Sequence, residues 1–123
     1  MKLLRRLKAL FNARPKAGDT PQSCALAFLR AAYTKGEGVA LAYVPQEGEE
    51  QAREKLRALT AAAEEKAAAR GGLKDVEVTE CEGSTRDPDR ARVELRLTFA
   101  NSAEEVESVD AIRVDGRWRV RLL

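Results

Sequence analysis

The chain has 123 residues, 34% of them charged and 44% hydrophobic, which is ordinary for a single folded soluble domain. It contains no histidine, so the most common general base and metal ligand are both missing. Three Phe, two Tyr and one Trp are too few for a surface that stacks nucleic-acid bases, which argues against nucleic-acid binding. The net charge is +2, but residues 1–18 carry six cations and no acid, whereas the remainder carries 16 cations and 20 acids.

The first predicted element is a basic amphipathic helix over residues 2–12, followed by a linker with Pro15 and Gly18. Burial of its apolar side does not by itself offset the entropy of ordering the helix. We therefore expect this helix to dock on its own domain, a second copy, another partner or, weakly, a membrane surface. Its docking residues are Leu3, Leu4, Leu7, Leu10 and Phe11. The predicted domains are this arm, residues 1–18, and one α+β domain, residues 19–123.

The beginning of the chain does not resemble a secretory signal, because its longest early apolar run, Leu3-Leu4, is interrupted by two arginines. No segment approaches transmembrane length. Cys24 and Cys81 lack the paired spacing of a zinc site, and Cys81 is out of phase with the apolar positions of its strand. These observations predict two free thiols, no metal or other cofactor, and a cytoplasmic protein.

Three helices are predicted at the start of the α+β domain. Thr20 is a favourable N-cap, and Pro21 fits the first helical position. Pro45 stops a short apolar piece, and Gly71 ends a long alanine-rich helix that acidic residues open. The predicted helices span about residues 21–34, 39–44 and 47–70.

The apolar period then changes from 3.6 to 2, which predicts four strands. The strands lie around Val76 and Val78 and over residues 92–99, 105–114 and 117–122. Asp115-Gly116 is a strong signal for a two-residue hairpin turn. Helices followed by strands predict an α+β fold, with the helices packed on one face of a four-stranded antiparallel sheet.

The last hairpin predicts a sheet with one apolar and one charged face. Trp118 points to the apolar face, where we expect it to be part of the core rather than a ligand platform. The opposite face is interpreted either as a solvated surface or as a site for an anion or an acidic partner. The arginines that would form this site are Arg113, Arg117, Arg119 and Arg121.

A candidate catalytic residue lies on the third strand. Ile112 and Val114 are taken to face inward, and counting back by two places Asp110 inward as well. A desolvated carboxylate with a raised pKa can transfer protons, and Tyr33 or Tyr43 would complete an acid–base pair. The competing interpretation is a β-bulge that turns Asp110 into solvent.

The pattern Ala27-Phe28-Leu29-Arg30-Ala31, the charged alanine-rich helix and the ending Gly116-Arg117-Trp118-Arg119 resemble the cystatin-like, nuclear-transport-factor-two-like superfamily. The chain is most similar to a bacterial branch known as a domain of unknown function and related to lumazine-binding-like proteins. The resemblance covers roughly residues 20–122 and implies a curved antiparallel sheet wrapped around helices, often with a pocket. No motif matches the catalytic sites of enzymatic relatives such as ketosteroid isomerase.

The predicted function is a small binding or protein-interaction module that uses the sheet pocket or the arginine-rich face. Its partner would be a protein or a small molecule, and a homodimer is one alternative. A non-catalytic role is preferred because phosphate-binding loops, metal clusters and nucleophile triads are missing from the sequence. The alternative is a small enzyme of the isomerase or dehydratase type that uses Asp110 as acid or base.

Overall fold

A computed structural model describes residues 20–45 and 49–122 of the chain. The helices are α1 (Pro21–Thr34), α2 (Glu37–Ala40), which continues into a 3₁₀ turn (Leu41–Tyr43), and α3 (Glu49–Ala69). The strands are β1 (Leu73–Gly83), β2 (Arg90–Phe99), β3 (Glu104–Val114) and β4 (Arg117–Arg121). The predicted N-terminal helix, with Leu3, Leu4, Leu7, Leu10 and Phe11, lies outside the described residues, so its docking stays a prediction.

The first helix, α1, begins where the sequence predicts because its first turn is capped from both sides. The Ser23 N–H donates to Thr20 Oγ1 (3.0 Å), and the Thr20 N–H is 3.2 Å from Ser23 Oγ. This capping box satisfies backbone groups that the helix itself leaves unpaired, and Pro21 adds a preset φ. The helix buries Phe28 and Leu29 and packs against all four strands.

The long helix α3 is joined to β1 by Arg70 and two glycines. Gly71 and Gly72 both have positive φ angles, 84° and 104°. A Cβ on Gly71 would lie 3.2 Å from the Cβ of Ala100, so a side chain there would crowd the turn between β2 and β3. The Ala100 N–H donates to the Gly72 carbonyl (2.9 Å), which holds the two turns together.

No helix within residues 20–45 and 49–122 has both the length and the apolar character needed to cross a bilayer.

The four strands form one antiparallel sheet in the order β1-β2-β3-β4. Asp115 and Gly116, which join β3 to β4, have φ angles of 53° and 78°. Two positive φ angles are the geometry of the type I′ turn that Asp-Gly favours. The α+β fold class, with helices packed on a four-stranded antiparallel sheet, is confirmed.

The sheet has a helix-side face, which packs on the helices, and an opposite outer face. Side chains of β2 alternate between the two faces, and its helix-side positions are almost completely buried. The main helix-side residues are Val93, Leu95, Leu97, Phe99, Val109, Ala111, Trp118 and Val120. Trp118 is 8% exposed, so its predicted place in the core agrees with the structure.

The prediction that Asp110, Ile112 and Val114 point inward is wrong. β3 pairs with β2 without a register shift, and the buried Val93 and Val109 are opposite each other. The odd-numbered residues of β3 therefore face the helices, and Asp110 is exposed on the outer face. The prediction takes Val114 as an inward-facing residue because it is apolar, but Val114 lies at the strand end and remains 39% exposed.

A register shift in β1 also corrects the placement of Cys81. The pairing of β1 with β2 shifts between Val78 and Glu80, after which Cys81 is opposite the buried Val93. Cys81 is therefore in phase with the core and packs against it, contrary to the prediction. Both thiols are free, and burial raises the pKa of the Cys24 thiol to about 11.

Candidate functional site

An open cleft of about 550 Å³ lies on the outer face, beside the loop that joins β1 to β2. Ala91 and Ala111 line it although their side chains are buried on the helix side, so their backbone forms part of its floor. Charged side chains from the loop and from all four strands surround this floor. They are Glu82, Arg86, Arg90, Arg92, Asp110 and Arg121, an excess of two positive charges.

Four of these charged residues form one row across the sheet. β-strand pairing places Glu82 opposite Arg92, Arg92 opposite Asp110, and Asp110 opposite Arg121. Charges of opposite sign thus alternate from β1 to β4, which favours the pairing of the strands. Arg92 Nε is 3.3 Å from Asp110 Oδ1, but the two side chains are 66% and 48% exposed, so their attraction is largely screened.

Two arginines of the cleft have no partner within the described part of the chain. Arg90 Nε lies 3.5 Å from Asp87 Oδ2, and Arg92 is paired with Asp110. By contrast, no hydrogen bond or ion pair among residues 20–45 and 49–122 engages the side chain of Arg86 or Arg121. Nothing in the described part of the chain therefore occupies these guanidinium groups, and a guanidinium binds carboxylate or phosphate oxygens through two parallel hydrogen bonds.

The four arginines predicted to share one face do not lie together. Arg113 belongs to the helix-side phase of β3 and is opposite Trp118. Its guanidinium lies 5.4 Å from the centre of the indole ring and 2.8 Å from Asp89 Oδ1. The prediction is wrong for Arg113 because Ile112 and Val114, on which the predicted phase of β3 rests, belong to the outer-face phase. The outer face of β4 carries the other three: Arg117, Arg119 and Arg121.

The predicted acid–base pair is not formed, because the sheet separates its members. Asp110 is on the outer face, whereas Tyr33 and Tyr43 pack against the core on the helix side. The Tyr33 hydroxyl donates a hydrogen bond to the Glu107 carboxylate instead. Among the described residues, no group of three or more cysteine, aspartate or glutamate side chains is arranged to hold a metal ion.

A second polar cluster lies on the helix side and joins α1, α3 and β3. We call Tyr33, Lys66, Arg70, Glu105 and Glu107 the ion-pair cluster. Lys66 Nζ is 2.5 Å from Glu105 Oε1 and 3.7 Å from Glu107 Oε2, and Arg70 Nη1 is 2.7 Å from Glu105 Oε2. The alternation of β3 could have indicated this cluster, since Glu105 and Glu107 share the odd-numbered phase that is buried further along the strand.

The electrostatics of the ion-pair cluster favour full pairing. Burial, followed by the hydrogen bond to Glu107, raises the pKa of Tyr33 to about 12. Hydrogen bonds from Lys66 and Arg70 hold the pKa of Glu105 below its ordinary value, and the bond to Glu105 raises the pKa of Lys66. Two cations thus face two carboxylates, and the tyrosine stays protonated near neutral pH. This arrangement is typical of a stabilising contact between a helix and a sheet.

The architecture is similar to that of a solved structure. A crystal structure described as "Putative NTF2-like transpeptidase from Campylobacter jejuni" matches with a TM-score of 0.71 and 21% sequence identity, over 82% of this chain and 96% of that chain. No family model and no curated protein matches the sequence. At this identity the likeness shows the fold alone, so membership of the cystatin-like superfamily and of its lumazine-binding-like branch stays a prediction. The chain has an NTF2-like fold.

Proposed function

We propose that this protein is a non-catalytic binding module that holds an anionic group in the outer-face cleft. The observation that carries this proposal is the surplus of arginine in the cleft. Four arginines and two acids line it, and within the described residues the side chains of Arg86 and Arg121 have no partner. A carboxylate or phosphate of a protein or small molecule would supply the missing negative charge.

The shape of the cleft supports binding of a small charged group rather than burial of a large apolar ligand. Its volume of about 550 Å³ is within the usual range of small-molecule sites, but its walls are largely polar and it opens to solvent. Ser84 and Thr85 of the β1–β2 loop add hydroxyl groups to the lining. These features favour recognition by hydrogen bonds and charge, with an affinity that falls as salt is added.

The geometry does not favour the alternative of a small isomerase or dehydratase. Such an enzyme would need Asp110 desolvated beside a tyrosine, but Asp110 is exposed and paired with Arg92. The word transpeptidase describes the Campylobacter jejuni protein, and 21% identity gives no reason to transfer that activity. We further propose a cytoplasmic location, which the two free thiols support because oxidising compartments favour disulfides, whereas the cytoplasm keeps thiols reduced.

An NMR titration with sodium phosphate at constant ionic strength tests this function. We expect saturable shifts of the amide signals of Gly83, Ala91 and Ala111, whose backbone borders the cleft. Arg121→Gln should weaken phosphate binding about three- to tenfold, because a charge-assisted bond is lost. Arg30→Gln, which removes the same charge from the exposed side of α1, serves as the matched control and should bind as the unaltered protein does.

Two results would contradict the proposal. One is a set of shifts that is spread over the whole surface and fails to saturate, which indicates general ionic attraction. The other is equal weakening by the Arg121 and Arg30 substitutions, which would show that net charge rather than the cleft determines binding.

A further inference from the structure

The last strand presents hydrogen-bonding groups at the edge of the sheet. Within the described residues β4 pairs with β3 on one side and with no strand on the other. The Arg113 N–H donates to the Asp89 carbonyl on the β2 side (2.7 Å), so Arg113 and its cross-strand partner Trp118 do not exchange backbone hydrogen bonds. The N–H and C=O groups of Trp118 therefore point away from β3, and by alternation so do those of Val120.

One of these edge groups is already used by a side chain. Arg119 Nη1 donates to the Trp118 carbonyl at a distance of 3.2 Å. A carbonyl that accepts a bond from a side chain of its own strand is not paired with another described strand, as is typical of a sheet edge. The α1 helix and the 3₁₀ turn contact β4 as well, and they pack with Trp118 and Val120 in the core cluster.

The outer face of β4 carries positive charge that its neighbouring strand does not neutralise. Arg117 and Arg119 are opposite the apolar residues Val114 and Ile112, and Arg121 is opposite Asp110, which is bonded to Arg92. The three arginines recur at every second residue, so they are spaced about 7 Å apart along the strand. This spacing equals that of alternate side chains in any extended chain beside it.

We propose that β4 binds an extended acidic segment of a partner protein as a fifth strand of the sheet. This inference rests on the proposed function, because Arg121 belongs to both the cleft and the edge. The partner backbone would bond to Trp118 and Val120, and acidic side chains at alternate positions would stand beside Arg117, Arg119 and Arg121. Cross-strand pairs of opposite charge stabilise neighbouring strands, and side-chain alternation fixes the register.

Two peptides of equal composition test this inference. The first is acetyl-Thr-Glu-Thr-Glu-Thr-Glu-Thr-amide, and the second has the same residues with its three glutamates in succession. We expect the alternating peptide to bind at least about threefold more tightly, since it alone aligns each carboxylate with one arginine. It should also slow hydrogen exchange at the Trp118 and Val120 amides, a change that charge attraction without strand pairing does not produce.

A substitution on β4 gives a second measurement. Arg119→Gln should weaken binding of the alternating peptide about two- to fivefold and reduce the preference for alternating over clustered glutamates. Equal binding of the two peptides, or unchanged exchange at Trp118 and Val120 when peptide is bound, would overturn the inference. If phosphate still binds the cleft in that case, the proposed function stands without the added strand. If phosphate does not bind either, both proposals fail.

Discussion

The ion-pair cluster on the helix side and the cleft on the outer face use the same kinds of side chain in different ways. In the ion-pair cluster, Lys66 and Arg70 face Glu105 and Glu107, and each charged side chain is about 30% exposed. In the cleft, arginines outnumber acids, and the paired Arg92 is 66% exposed. The charges of the ion-pair cluster are paired with one another, whereas the cleft contains arginines that have no partner among the described residues.

This difference indicates that charges on the helix side serve stability, whereas charges on the outer face serve binding. Charges that are partly buried and fully paired hold α3 against β3, and the loss of one partner leaves another charge poorly solvated. Charges that are exposed and in excess contribute little to folding, so their arrangement is free to serve binding. Stability should therefore depend on helix-side substitutions, and binding on outer-face substitutions.

The largest loss of stability is expected when Trp118, on the helix side of β4, is replaced. Trp118→Ala should lower the free energy of unfolding by about 3–5 kcal/mol, because the ring is 8% exposed and its removal leaves a cavity. Urea unfolding followed by circular dichroism measures this loss. A change below about 1 kcal/mol would show that the indole is not part of the core, and would weaken the contrast between the two faces.

A smaller loss is expected in the ion-pair cluster. Glu105→Gln should lower the free energy of unfolding by about 1–2 kcal/mol at pH 7, because Lys66 and Arg70 lose a charged acceptor. Glu104→Gln is the matched control, since Glu104 is exposed at the adjacent position. Because the folded state lowers the pKa of Glu105, its stabilisation is present above the unfolded pKa and is lost as the pH falls through the folded value. Equal stability of the two variants would contradict a structural role for the cluster.

The same cluster predicts a dependence on alkaline pH. The folded state raises the pKa of Tyr33 from 10.0 to about 12, so this stabilisation is complete below pH 10 and is lost as the pH rises towards 12. Between these values the unaltered protein should lose about 1–2 kcal/mol more than Tyr33→Phe, after allowance for solvent access to the hydroxyl. Urea unfolding of both proteins at several pH values measures the difference. Parallel pH profiles would show that the phenol is not the group responsible.

The smallest effect on stability is expected on the outer face. Arg121→Gln should change the free energy of unfolding by less than about 0.5 kcal/mol, because no ion pair within the described residues is lost. A loss comparable to that of Glu105→Gln would mean that the outer arginines also support the fold. The same urea experiment decides between these outcomes.

The sequence predicts most of the fold because its strongest signals are local. The Thr20 cap, the Asp115-Gly116 turn and the alternation of β2 each depend on neighbouring residues, and each is found in the structure. The phase of β3 depends on pairing with β2, which residues distant in sequence determine. An apolar residue at a strand end carries little information about that phase, so the sequence alone does not determine which face Asp110 occupies.

The candidate site was only partly predictable for a related reason. The arginines of β4 were visible as a pattern, but the cleft also needs Arg86 and Arg92 from a loop and another strand. The ion-pair cluster brings together residues of α1, α3 and β3 that are distant in sequence. Lys66 and Glu105, for example, are 39 residues apart. Contacts of this kind follow from the packing of elements and have no local signature.

The most direct test of these separate roles of the two faces measures stability and phosphate binding on the same two variants. We predict that Glu105→Gln is destabilised but binds phosphate as the unaltered protein does, whereas Arg121→Gln is as stable as the unaltered protein but binds phosphate about three- to tenfold more weakly. The account would be contradicted if Arg121→Gln kept full phosphate binding, or if both variants lost stability and binding together.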